Sequence, residues 1–553
     1  MNGKYPKLRT MKNSMLILLL SVTLVLNAGA QKALLTVAEQ SGFESTSNEA
    51  DVLSFLQQLT TRSGIARLES MAVSVEGRTV PLLVIASPMP KSPDALKKDG
   101  RMVVYIQANI HAGEVEGKEA ALMLARDLVT GSKKDILRHL VVLICPNFNP
   151  DGNEAISPLN RAYQNGPKNG VGVRHNGQML DLNRDGMKLE SPEITGLVGN
   201  VLNKWDPAVT VDCHTTNGSY HDEPVTFTWM MNPAGDRSLI NFMRDKMMPV
   251  VSEQLHDKYG VLNCYYGEFT NPFDTSLQWI SYASEPRYLV NYIGLRNRLA
   301  ILNENYVYAD FRSRVMGCYF LLHSILDYAV DHKREIQDLL EEADQRTITR
   351  GVVATGKDSF PIEYVVRPTP EKVTIHTYEV TAMTDSIGRP RMVKSDRKKV
   401  VTIPYLADYY PSRSVPIPYA YLMTVHDPEI IRLLKSHGIQ LEKLVHPLTA
   451  EVESFRLTEL KPSSRLNQGH YENSVSGSYV KETREFKPGT CVIRMAQPLA
   501  SLAAYLMEPQ SNDGLLLWNF FDRYLVPQWG RGLNPYPVYK LLQKTDLVTE
   551  KSN

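Results

Sequence analysis

Cysteine is scarce in this sequence. Five stand among 553 residues, Cys145, Cys213, Cys264, Cys318 and Cys491, and none forms a C-x-x-C pair. Neither a disulfide scaffold nor a cysteine-type zinc site is implied, at most two disulfides could form, and a bound metal is expected to take histidine and carboxylate ligands. An excess of one charge sign is missing too: 61 Lys and Arg face 60 Asp and Glu, a formal net charge of +1. That balance supplies no basic field for nucleic acid or an anionic surface. No internal repeat marks a solenoid or propeller. What remains, 43% hydrophobic and 22% charged, is a globular composition in a chain too long for one ordinary core, hence two or more domains.

A membrane-spanning apolar run is also lacking. "MLILLLSVTLVL", Met15 to Leu26, is too short to prefer crossing a bilayer. Lys4, Lys7, Arg9 and Lys12 precede it, and the small residues Ala28 and Ala30 follow. This is the layout of a secretory signal peptide over residues 1–30, cut near Ala30-Gln31, with Met11 as an alternative start. No cysteine closely follows the run, so neither a lipid anchor nor any stable membrane anchor is expected. The expected location is exported, either periplasmic or secreted.

From about residue 50 to 330, short apolar runs such as "RMVVYIQANI", "LVVLICPNFNP", "PAVTVDCHT" and "RLAILNEN" alternate with helical patterns such as "GKEAALMLARDLVTG". That order predicts an α/β fold, a mixed, mostly parallel sheet flanked by helices. In such sheets chemistry collects where strands end. Beyond the charged helix pattern "DHKREIQDLLEEADQRT" the texture becomes β-rich, with the basic "DSIGRPRMVKSDRKKV" read as a solvated hairpin or loop. The expected division is a catalytic domain over 31–335 and a β-rich α+β accessory region over 345–553, of one or two small units.

In "VVYIQANIHAGEVEGKEA" a strand pattern gives way to a helix pattern, with His111 and Glu114 at the junction. An imidazole and a carboxylate three residues apart on such a loop can converge on one ion. Equally, Glu114, Glu116 and Glu119 suit the N-terminus of a helix. "PAVTVDCHTTNG" repeats the design, an apolar strand ending in His214. Two histidines and a glutamate form an open three-ligand zinc sphere that leaves room for water, a set known from carboxypeptidase A.

With "HAGE", "NPDG" (Asn149 to Gly152), "LDLNRD" (Leu180 to Asp185), "DCHT" and "LAILNE" in this order, the chain resembles the carboxypeptidase A-like zinc metallopeptidases over roughly residues 50 to 330. The resemblance implies that His111, Glu114 and His214 bind one Zn²⁺. It makes Asp181 the carboxylate that orients a zinc histidine, and Asn183 and Arg184 the pair gripping the free C-terminal carboxylate of a peptide. Glu304, closing a buried strand, matches the general base better than Glu285, which lies in the loop-like "YASEPRY". Tyr282 matches the tyrosine that closes over substrate, with Tyr288 and Tyr292 nearby as rivals. Arg161 matches the oxyanion-stabilising arginine, with Arg174 as the alternative. Gly113 stands where many digestive relatives carry arginine, and Arg296 and Arg298 read as surface and ion-pair residues in preference to readers of an acidic group on the substrate. The expected activity is that of a zinc metallocarboxypeptidase acting on peptides with a free C-terminal carboxylate. A zinc amidohydrolase on cell-wall or other amides, and a catalytically inactive peptide- or glycan-binding relative, are the alternatives.

Overall fold

The computed structural model describes residues 34–552 except 132 and 355–357, together with Met1 and Gly3. Those two residues apart, the signal peptide expected over 1–30 lies outside the described residues. No helix among the described residues is long and apolar enough to cross a membrane.

The strands up to residue 306 are β1 (Ala66–Val73), β2 (Thr79–Ile85), β3 (Met102–Ala108), β4 (Leu140–Cys145), β5 (Val209–Thr216), β6 (Val225–Trp229), β7 (Asn263–Tyr265), β8 (Glu268–Phe269), β9 (Trp279–Ile280) and β10 (Leu299–Tyr306). All but β8 and β9 form an eight-stranded sheet in the order β1-β2-β4-β3-β5-β10-β6-β7. Its centre, β4-β3-β5-β10, is parallel; β1 pairs antiparallel with β2 and β2 with β4, while β6 runs antiparallel to β10 and parallel to β7. Every residue of β3, β4 and β5 is buried, as expected for continuous Val/Ile/Leu runs covered on both faces.

Helices Glu116–Thr130 and Phe311–Asp331 pack on one another and against β3, β5 and β10. Helix Glu116–Thr130 approaches β5 closely because Gly117 has no side chain: a Cβ there would run into the Cys213 Cβ. Cys213 and Asn303 therefore face these helices, and Cys318 donates its thiol proton to Asn303 Oδ1 at 3.2 Å. By the two-residue alternation of a strand, Asp212, His214, Leu302 and Glu304 face the other way. All five cysteines are buried and free.

The C-terminal half is β-rich, as expected. The interval between residues 335 and 345 lies inside one helix, Lys333–Val353. Strands β11 (Ser359–Pro368), β12 (Val373–Thr384), β13 (Pro390–Ile403) and β14 (Tyr405–Pro416) follow, and then β15 (Ala420–Met423), β16 (Glu442–Leu444), β17 (Leu448–Pro462), β18 (Asn473–Phe486), β19 (Cys491–Arg494), β20 (Val538–Leu541) and β21 (Thr549–Lys551). The basic stretch supplies one arm of the β12–β13 hairpin. Strands β15 to β21 form a seven-stranded sheet, whereas β11 and β14 join β9 and β8 in a four-stranded one. The join is the parallel β14–β9 pairing, Tyr405 beside Trp279 and Leu406 beside Ile280.

Candidate metal centre and cleft

Three residues beyond β3 the chain makes a tight turn in which the Glu114 N–H donates to the His111 carbonyl at 2.9 Å, just before helix Glu116–Thr130. The turn folds Glu114 Oε2 to 3.2 Å from His111 Nδ1. From the end of the neighbouring strand β5, His214 Nδ1 lies 3.1 Å from the same Glu114 oxygen and 3.2 Å from His111 Nδ1. All three side chains are buried, at 2–3% exposure.

The ring nitrogens that face away from this centre each meet a carboxylate. His111 Nε2 is 2.9 Å from Asp181 Oδ1, and His214 Nε2 is 3.0 Å from Asp212 Oδ2. A carboxylate on Nε2 keeps the proton there and leaves the Nδ1 lone pair for a metal. Two such lone pairs and a carboxylate oxygen, all within 4.8 Å of one another in a buried site, form a donor set that fits a divalent cation. Burial acts to depress His214, but Asp212 and Glu114 beside the ring hold it well above its ordinary pKa. Burial likewise acts to raise Glu114, yet the neighbouring His111 and Arg161 hold it well below the usual carboxylate range.

Glu304 stands directly across from His214 in the β5–β10 register and lines the same cleft, which encloses about 570 Å³. Burial pushes its carboxyl up to about 8; His214 works against this and Glu114 adds to it. Glu285 is not among the cleft-lining residues. Arg161 and Arg174 both line the cleft and both reach Glu114 Oε1, at 2.9 and 3.5 Å. Arg174 is tied to Asp181 as well, at 2.9 Å, and Arg161 donates to the Thr215 carbonyl at 3.0 Å. Arg161 can cross to Glu114 because residue 113 is glycine: a Cβ on Gly113 would lie 2.6 Å from Arg161 Cδ.

Asn183, Arg184, Tyr282 and Tyr288 form the far wall. Asn183 Oδ1 accepts the Leu289 N–H at 3.0 Å, which locks the turn after Asp181 to the loop before helix Leu289–Leu295. The Arg184 guanidinium sits 4.4 Å over the Tyr288 ring. The Tyr282 hydroxyl is held by the Trp229 carbonyl and Asn291 Oδ1, both at 3.1 Å, so Tyr288 is the aromatic ring against Arg184. Tyr292 instead bonds His437 at 2.8 Å, away from the cleft. Arg298 pairs with Asp206 and Asp344, an ion-pair residue as expected. Arg296 is buried rather than on the surface; it donates to the His437 carbonyl and Asn203 because the C-terminal half covers it.

Asp212 escapes sequence reasoning, although its two-residue spacing from His214 on a strand is a signal for a shared face. Gln107, paired with Asp212 in the β3–β5 register, donates to Asp212 Oδ1 at 2.9 Å. Glu116 and Glu119 do sit in the first turn of their helix, but as buried tethers. Glu116 pairs with Arg314, and Glu119 accepts from Thr46 and Ser47.

Comparison with known proteins adds to this geometry. A family model described as zinc carboxypeptidase matches residues 52–330. Carboxypeptidase 2 of Trichophyton rubrum is 22% identical over 497 residues, covering 85% of this chain and 84% of that protein. Carboxypeptidase M of Mus musculus is 34% identical over 128 residues, 22% of this chain and 26% of that protein. Among solved structures, a metallo-carboxypeptidase from Burkholderia cenocepacia aligns with a TM-score of 0.38 at 18% identity, over 51% of this chain and 69% of that one.

Proposed function

The chain belongs to the zinc carboxypeptidase family, and from that premise we propose that it is exported and removes the C-terminal residue of peptides by water attack on the last peptide bond. Residues 31–335 carry the chemistry, and 345–553 form the accessory region. His111, Glu114 and His214 would hold one zinc ion, with Asp181 and Asp212 orienting the two rings. When bound, zinc supplies Lewis acidity, which polarises a carbonyl and makes water acidic near neutral pH.

Glu304 takes a proton from the attacking water as its oxygen bonds to the carbonyl carbon, and returns it to the amine as the C–N bond breaks. Arg161 donates to the oxygen that gains charge. Arg184 offers a planar pair of N–H groups and Asn183 an amide N–H to the substrate's terminal carboxylate, setting the last peptide bond over the three ligands. Tyr282 lines the wall beside them; to swing onto substrate its hydroxyl must release Trp229 and Asn291.

The observation that carries this reading is the convergence of three buried metal-ligating side chains with Glu304 across from His214 and an arginine-bearing wall beyond. The test is release of C-terminal residues from a peptide library by the purified enzyme, before and after chelation and zinc replacement, with matched amidated peptides. Release that needs zinc and is lost on amidation is expected. Equal cleavage of amidated peptides would favour an amidohydrolase, and zinc-loaded protein inert on both would make this a binding relative.

A further inference from the structure

The C-terminal half packs behind the corner of the cleft that carries Asn183, Arg184 and Tyr288. Arg287, next to Tyr288, directs all three guanidinium nitrogens there: Nε to Asp513 Oδ1 at 2.8 Å, Nη1 to Glu472 Oε1 at 2.7 Å and Nη2 to the Asn512 carbonyl at 3.2 Å. Its backbone N–H goes to Asp513 Oδ2 at 2.8 Å, and Asp513 is fully buried. On the facing turn, the Asp181 N–H donates to Gln468 Oε1 at 2.8 Å, and Glu190 pairs with His470 at 2.7 Å. Between the two lies the buried Trp518 ring, with Lys188 4.3 Å and Arg287 4.8 Å from its centre. The Tyr409 hydroxyl also donates to the Tyr282 carbonyl at 2.9 Å.

Arg184 itself has few holds: a bond to the Asn183 carbonyl, a long 4.0 Å ion pair with Asp181 on the same turn, and the Tyr288 ring beneath it. Its direction is therefore set by where the 181–190 turn and the 284–289 loop stand, and both are fixed from behind by residues 468–518. We propose that the C-terminal region is a built-in part of the substrate-carboxylate corner, with Gln468, Asp513 and Trp518 as positioning residues for Arg184 and Asn183. What the corner binds rests on the carboxypeptidase reading above; that the corner is braced does not.

The test uses the full-length, zinc-loaded chain and two variants. Asp513→Asn keeps size and one acceptor but removes the charge facing Arg287, and Gln468→Ala removes the acceptor for Asp181. Amide hydrogen exchange at residues 284–290 should accelerate about tenfold or more in Asp513→Asn, with β10 unchanged. In both variants KM for a peptide with a free carboxylate should rise about tenfold while kcat stays within about threefold. Gln468→Glu, which restores an acceptor, should recover most of the wild-type KM. Unchanged exchange would overturn the proposal, as would a fall in kcat at constant KM, the mark of simple loss of folded enzyme. If Asp513→Asn fails to fold, the Gln468 pair decides. Wild-type protein inert on every peptide would instead sink the carboxypeptidase reading, leaving the exchange measurement to decide the brace.

Discussion

Replacing Asp212 by asparagine separates charge from geometry at the metal centre. Asp212 is fully buried, and among the described residues its side chain meets His214 Nε2 at 3.0 Å and Gln107 Nε2 at 2.9 Å, with no Lys or Arg ion pair. In Asp212→Asn the new amide oxygen can still accept from His214. The new amide nitrogen can be satisfied too, because Gln107 Oε1 has no hydrogen-bond partner and the Gln107 side chain can turn over to present it. The ring therefore keeps its place and only the negative charge is lost. Loss of an orienting carboxylate costs about 10- to 100-fold in zinc affinity, or about 1.4–2.7 kcal/mol. Asp181 differs: Arg174 already offsets its charge at 2.9 Å and Arg184 lies 4.0 Å away. Asp181→Asn should accordingly fall at the lower end, about tenfold or less. Competition with a chromophoric chelator at neutral pH measures both. Asp212→Asn binding zinc within twofold of wild type, or Asp181→Asn losing more than Asp212→Asn, would refute the electrostatic argument.

Three further outcomes are expected. Glu304→Gln should lower kcat by about 10²- to 10⁴-fold, the usual contribution of a general base, while metal analysis finds the zinc content unchanged. Gly113→Ala places a methyl 2.6 Å from Arg161 Cδ and should drive that side chain off Glu114. Its kcat/KM should drop by about 10²- to 10³-fold, the effect of losing an oxyanion donor, and thermal melting should show the fold retained. His437 is held neutral: burial pushes its pKa down to about 3 from 6.5, opposed by the Met187 carbonyl and aided by Arg296. The unfolded chain takes up a proton below 6.5 that the folded chain refuses, so this contribution to stability is intact above about pH 7 and lost as pH falls towards 3. Urea titrations should show wild type losing about 1.4 kcal/mol per pH unit more than His437→Gln between about pH 6 and 4. Parallel slopes would remove His437 from the account.

Much of the centre is legible in the sequence for a physical reason. A buried parallel strand is a continuous apolar run, and chemistry collects at its carboxyl end; of the thirteen histidines, His111 and His214 are the two that directly follow such strong apolar runs. The orienting and positioning groups carry no such signal. Gln107 meets Asp212 only through strand register, and Gln468 is 287 positions from Asp181 along the chain. Arginines also defeat spacing arguments, since long side chains from different parts of one loop reach the same Glu114 oxygen. Tyr282 and Tyr288 are close together in one loop, and what separates them is the acceptor the Tyr282 hydroxyl finds and the guanidinium the Tyr288 ring meets.

The β14–β9 pairing and the seat of Trp518 have a consequence for timing. In a chain threaded N-terminus first through a pore or ribosome, the sheet bearing His111, His214 and Glu304 is synthesised well before the strand that completes β9 and before the indole that backs Arg287. The supports behind Arg287 are complete only once residue 518 has been made. The brace behind Arg184 and Asn183 is therefore the last part of the cleft to be assembled, after every metal-binding side chain has been made.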